Sequence, residues 1–221
     1  MKNLIVFVTL LCLTLAAQAQ RKNEIQVRAG YGLGAYKTET RLAYTFGNTT
    51  FSVDTTDGAA TSHVPIELRY EISQRVNVGI DMKFGKYLYA PEDQKSGRFN
   101  NFNIIGIGVE ANLFSDEDAR VYINGGFNTG AVEMHDVTDG LIGLSQKIVY
   151  KGNGIKINLG TIFFIKNGPL GINLNIGYDK HNFKLKTYEL EGIMQDITNL
   201  SGALEVGGLE LNGGLVFRIK T

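Results

Sequence analysis

Eight stretches of this chain alternate apolar and polar residues at every second position, a period that belongs to strands and not to helices. In the first, Ile25, Val27, Ala29, Tyr31, Leu33 and Ala35 share one parity, and Gln26, Arg28, Gly30, Gly32, Gly34 and Tyr36 share the other. The pattern repeats over 64–72, 76–84, 105–113, 121–127, 155–165, 170–178 and 209–219. One face is rich in Ile, Leu and Val; the opposite face holds Gly, Asn and charges.

The connections decide the topology. Residues 73–75, 115–118 and 167–169 are tight hairpins built from turn-forming residues. The other four connections, around 38–62, 87–101, 131–153 and 180–207, are long. Short turns on one rim and long loops on the other mark an outer-membrane barrel, with the short turns in the periplasm. The fold expected is therefore all-β: an up-and-down antiparallel transmembrane barrel of eight strands. The long loops face outward, and some alternate too (Leu42 to Phe46, Phe51 to Val53, Lys147 to Tyr150), which suggests a sheet protruding past the membrane.

Alternation alone leaves a soluble, ligand-carrying barrel open, with its aliphatic face turned inward. Three features favour the membrane. The polar face is small, as the crowded lumen of eight strands requires. Its charges balance: Arg28, Arg69, Lys83, Arg120, Lys156 and Arg218 stand against Glu67, Glu71, Asp81, Glu110, Asp179 and Glu210. Inside a narrow lumen such charges must pair. Four of the strands, the first three and the last, are contiguous in a closed barrel, so their charges are expected to form one network. Finally, aromatics of the apolar face sit near its ends. Tyr70, Phe163 and Phe217 fall toward the periplasmic rim, and Phe84, Phe127 and Tyr178 toward the outer one, as interfacial girdles do.

Residues 1–19 read as a signal peptide, with Lys2, an apolar run from Leu4 to Leu15, and Ala17-Gln18-Ala19 at the cleavage site. That run is about a dozen residues, short of the roughly 20 a spanning helix needs. Residues 20–221 form one barrel domain. Cleavage removes Cys12, the one cysteine, and with it thiolate chemistry and disulfides. It also removes one lysine and no acid, so 22 bases become 21 against 22 acids, a net charge of −1. Without a basic footprint, nucleic acid is not an expected partner.

The signal peptide, the eight segments and the terminal strand Gly213-Gly214-Leu215-Val216-Phe217-Arg218-Ile219-Lys220 resemble the small OmpA/OmpX-type outer-membrane barrels. The resemblance covers the whole mature chain and implies a monomer in outer-membrane lipid, inserted by the barrel-insertion machinery through its last strand. In that family the strand usually ends on an aromatic; here Phe217 stands four residues before Thr221.

Chemistry is sparse. His63, His135 and His181 fall in or beside the long loops and read as exposed loop residues. None has the i+4 partner of a zinc helix, and the residues two places on are Pro65, Val137 and Phe183, so the His-x-Ser pair of a lipid deacylase is missing. Gly30-x-Gly32-x-Gly34 alternates inside a strand and opens no helix, which is wrong for a phosphate loop. No catalytic, metal or cofactor residues are expected. The reading is a non-enzymatic barrel for surface interaction, adhesion or envelope integrity, meeting an extracellular protein or surface ligand through its loops. A small-solute pore, a secreted carrier and a lipid-modifying enzyme are the alternatives.

Overall fold

The computed structural model describes residues 24–89, 98–135 and 146–220. The expected signal peptide lies outside these, as do parts of two long connections. The strands are β1 (Glu24–Phe46), β2 (Thr49–Ser73), β3 (Val76–Tyr89), β4 (Arg98–Ser115), β5 (Ala119–His135) and β6 (Gln146–Phe164). After a single 3₁₀ turn (Ile165–Asn167) come β7 (Leu170–Leu190), the two-residue β8 (Ile193–Met194) and β9 (Leu200–Lys220). Each long strand pairs antiparallel with its neighbours, and β1–β9 and β6–β7 pairings close the ring.

The turns follow local chemistry. Asp116 closes the β4–β5 turn by accepting the backbone N–H groups of Asp118 and Ala119 at 2.8 and 2.7 Å. Gly47, at φ 60°, takes a position in the β1–β2 turn where a positive φ matches the twist of the strands and glycine supplies it without strain. That turn holds only Gly47 and Asn48.

The long connections are therefore largely not loops: the protruding sheet suggested by their alternation is present, and what needs correcting is the reading of 38–62 and 180–207 as loops. A tilted transmembrane strand needs about 9–11 residues, whereas β1 has 23, β2 has 25, and β7 and β9 have 21 each. Roughly half of each strand stands above the membrane, and there the polarity of the wall inverts. On β1 the outward face runs from Ile25 to Ala35 and then turns to Lys37, Glu39 and Arg41. On β7 it runs from Leu170 to Tyr178 and then turns to Lys180, Asn182 and Lys184. These changes mark the outer limit of the membrane-spanning part of each strand.

The inward face changes the other way. Below that level it carries Arg28, Arg69, Glu110 and Asn158; above it, Tyr36, Tyr87, Phe102, Val132, Tyr150, Phe183 and Leu204 pack into one buried cluster. Tyr87 lies between Tyr36, edge-on at 5.9 Å, and Phe102 at 4.6 Å. In water the protruding barrel folds like any soluble barrel, apolar side in; in lipid the same strands need the reverse. One chain satisfies both solvents by switching faces at one height.

Candidate functional site: the charged lumen and its apolar cap

The lumen residues come inward because strand parity puts them there, and the barrel is too narrow to hydrate them individually. They fall into three tiers. In the middle one, Arg28 on β1 makes a bidentate pair with Glu110 on β4, Nη1 to Oε2 at 2.7 Å and Nη2 to Oε1 at 2.8 Å. Arg28 also reaches Glu67 at 3.4 Å and lies 4.8 Å over the Tyr122 ring. Arg69 bonds Asp81 closely and Glu67 at 3.2 Å, and Lys156 meets Asp81 at 2.9 Å. Asn77 donates to Glu110 at 2.7 Å.

The upper tier sits beneath the apolar cap. Lys83 donates to Asp179 at 2.5 Å and to Glu210, and Glu210 in turn lies 3.2 Å from His63 Nε2. In the lower tier Arg120 joins Glu24 at 3.1 Å and Glu71 at 3.2 Å. The Arg218 guanidinium bonds the carbonyls of Gly168 and Glu117 and stacks 3.7 Å over Phe164. It anchors periplasmic turns.

The network is not confined to the four contiguous strands. Several of its close pairs cross the lumen, β1 to β4 and β3 to β7 and β9, while Arg69 and Asp81 join adjacent β2 and β3. A charge facing a narrow bore meets the opposite wall as readily as its neighbour, so adjacency in the sheet does not by itself set the partners. Gln26 and Asn212, already on the polar parity in the sequence, also line the lumen, and so do Glu24, His63 and His181, which the sequence reading left out.

His63 and His181 are the clearest correction, because both are buried, not exposed in loops. His63 is seated where Gly32 leaves room; a Cβ there would stand 2.3 Å from its Nε2. His181 uses the space over Gly154 and stacks on Phe183 at 5.4 Å. The side chain of His135 lies outside the description. Six outward aromatics, Tyr70, Phe84, Phe127, Phe163, Tyr178 and Phe217, are exposed on the barrel exterior.

No group of three or more His, Cys, Asp or Glu among the described residues is placed to hold a metal ion. The sequence matches the family described as outer membrane protein beta-barrel domain over residues 5–206. The chain belongs to that family. It is an outer-membrane protein, and the apolar outer face of its barrel is therefore a lipid face. No curated protein sequence matches it. Among solved structures it is similar to OprG from Pseudomonas aeruginosa, with a TM-score of 0.58 at 10% identity, covering 92% of this chain and 99% of that one. Neisserial surface protein A gives a TM-score of 0.44 at 14% identity, covering 87% and 99%. At these identities the likeness is one of fold. The family match removes the inside-out alternative: this outer-membrane barrel turns its aliphatic face to lipid.

The inverted upper barrel makes stability depend on pH through His181, which lies beyond the Lys180 level and so above the membrane. Burial, reinforced by the nearby Lys83 cation, pushes its imidazole down to about 3. The unfolded chain takes up a proton near pH 6.5 and the folded one does not, so stability is full above that pH and falls below it. By pH 5 the loss from this one group is about 2 kcal/mol. His181→Leu is expected to flatten that part of the profile in urea unfolding measured from pH 7.5 to 5. An unchanged slope would remove His181 from the account.

Proposed function

We propose that this outer-membrane protein is a closed, non-enzymatic barrel that works through its extracellular surface and not by passing solutes. The carrying observation is the double closure of the bore: a cross-lumen charge network below and a packed apolar cluster above. Two lumen cavities beside the network hold about 20 and 10 Å³, room for roughly one water each. Tyr87, Phe102, Val132 and Leu204 are each at most 2% exposed in that cluster, which supports a bore with no path for a hydrated ion.

The surface reading is supported by the β1–β2 hairpin. Tyr44, Phe46, Phe51 and Val53 are exposed there, on the same strand face that lower down builds the cap. Among the described residues, β2 pairs with β3 only from Ala59 onward, so 49–58 carry a free sheet edge. An extended strand from an extracellular protein fits such an edge by adding backbone hydrogen bonds and alternate side chains.

Reconstituted in planar bilayers, the folded protein is expected to give no stepwise conductance. Discrete, reproducible channels would overturn the closed-barrel reading and make a small-solute pore the function.

A further inference from the structure

Above the lipid-facing belt, on the outer wall of β6 and β7, two lysines stand side by side. Lys151 and Lys184 are direct cross-strand partners, both exposed on the outward face. Like charges directly opposite one another destabilise a sheet. Neither lysine has an ion-pair or hydrogen-bond partner among the described residues. The next strands contribute only Ala131 beside Lys151 and Ala203 beside Lys184. The nearby acids are engaged elsewhere: Glu133 faces Lys147 and Glu205 faces Lys180, each at 3.8 Å. Among the described residues, the row is an uncrowded, uncompensated double cation.

What lies below it has a different character. The next outward row down is Thr129, Asn153 and Asn182, polar and uncharged, in register across β5, β6 and β7. Below and beside that is a groove of about 510 Å³, walled by Ile80, Ile105, Ile107 and Phe127. Its floor is backbone, because Gly106, Asn128 and Gly154 all have the inward parity. From membrane to water, this face reads as apolar groove, hydrogen-bonding rim, cation pair.

That order matches an amphiphile with an anionic head, and the short-turn rim being periplasmic puts it at the outer leaflet. We propose that β3–β7 form a specific site for a phosphate-bearing lipid of the outer leaflet. An acyl chain lies in the Ile105–Phe127 groove, and the phosphate bridges Lys151 and Lys184. The occupant supplies the negative charge that the described residues omit. Ordinary lipid contact needs no such cation pair, and a soluble anion needs no groove. This inference rests on membrane placement alone and stands whether or not the barrel proves closed.

The test uses the whole mature protein folded in a zwitterionic detergent, with the urea midpoint as readout. Without added lipid, the double variant Lys151→Gln/Lys184→Gln is expected to raise the midpoint, because a like-charge repulsion is gone. Added bisphosphorylated lipid A is expected to raise the wild-type midpoint and to act on the double variant only at tenfold or higher concentration. Lys37→Gln, two strands away from β7 on β1 and paired with Glu39, is expected to respond as wild type does. Dephosphorylated lipid A and inorganic phosphate are each expected to give little shift. The proposal is overturned if the double variant responds like wild type, or if Lys37→Gln weakens the response equally. An equal effect of inorganic phosphate would make this a free-anion site, and an equal effect of dephosphorylated lipid would reduce it to nonspecific lipid contact.

Discussion

Arg28→Ala is expected to lower the unfolding free energy of the folded barrel by roughly 3–5 kcal/mol, among the largest effects of any single truncation in the lumen. Glu110 is fully buried, and both of its carboxylate oxygens receive Arg28. Deleting the guanidinium leaves that carboxylate with Asn77 and a distant Arg69 Nε, 3.7 Å away, in a wall that admits almost no water. Glu67 and Gln26 lose a donor at the same time. Arg28→Met/Glu110→Met removes both charges together, and much of the loss is expected to return, because the isolated pair is worth less than its desolvation. The recovery stays incomplete, since Gln26 and Glu67 are still left short.

The control for that experiment is a pair of the same chemistry in water. Arg41 and Asp54 meet at 2.8 Å on the protruding hairpin, with side chains 70% and 60% exposed. Truncating either is expected to change stability by no more than about 1 kcal/mol, the usual worth of a surface ion pair. Equal effects at Arg28 and Arg41, read from urea unfolding in detergent, would mean that the lumen is solvated and would remove the charge network as a structural element.

How much of this was legible from sequence depends on which physical rule is at work. Strand parity is local and strict, so the inward position of Arg69, Asp81 or Glu210 could be read directly from alternation. Height and partner are not local. Arg28 and Glu110 are 82 residues apart and meet across the bore, and only the register of every intervening strand sets that meeting. His63 and His181 were misplaced because the alternation was cut at Val64 and Tyr178, where the outward face stops being aliphatic. The parity itself continues past both points: His63 shares it with Glu67 and Arg69, and His181 with Asp179. The apolar cap escaped for the same reason. Tyr36 falls on the parity of Arg28, and a reading that assigns one chemistry to each face has no place for an inward tyrosine. The signal was present as a paired exchange, Tyr36 entering the polar parity just as Lys37 enters the apolar one.

That exchange yields a prediction within one strand, with arginine as the common probe. Leu174 on β7 faces lipid near the middle of the outward belt, its side chain lying over Gly213 of β9. Leu174→Arg is expected to cost about 2–4 kcal/mol when the barrel is folded in bilayers, the midplane range for a cation facing hydrocarbon. Eight residues on, Asn182 has the same parity but stands above the outer limit of that belt, in water and exposed. Asn182→Arg is expected to cost less than about 0.5 kcal/mol, as surface substitutions do. Its neighbour Phe183 has the opposite parity and is 1% exposed, packed in the cap against His181. Phe183→Arg buries an unpaired charge and deletes an aromatic at once, so several kcal/mol are expected to be lost. Outward is the costly side at residue 174 and inward is the costly side at 183. Were all outward positions of β7 equally intolerant, the membrane belt would have to extend past Lys180, and the protruding barrel would then lie in lipid.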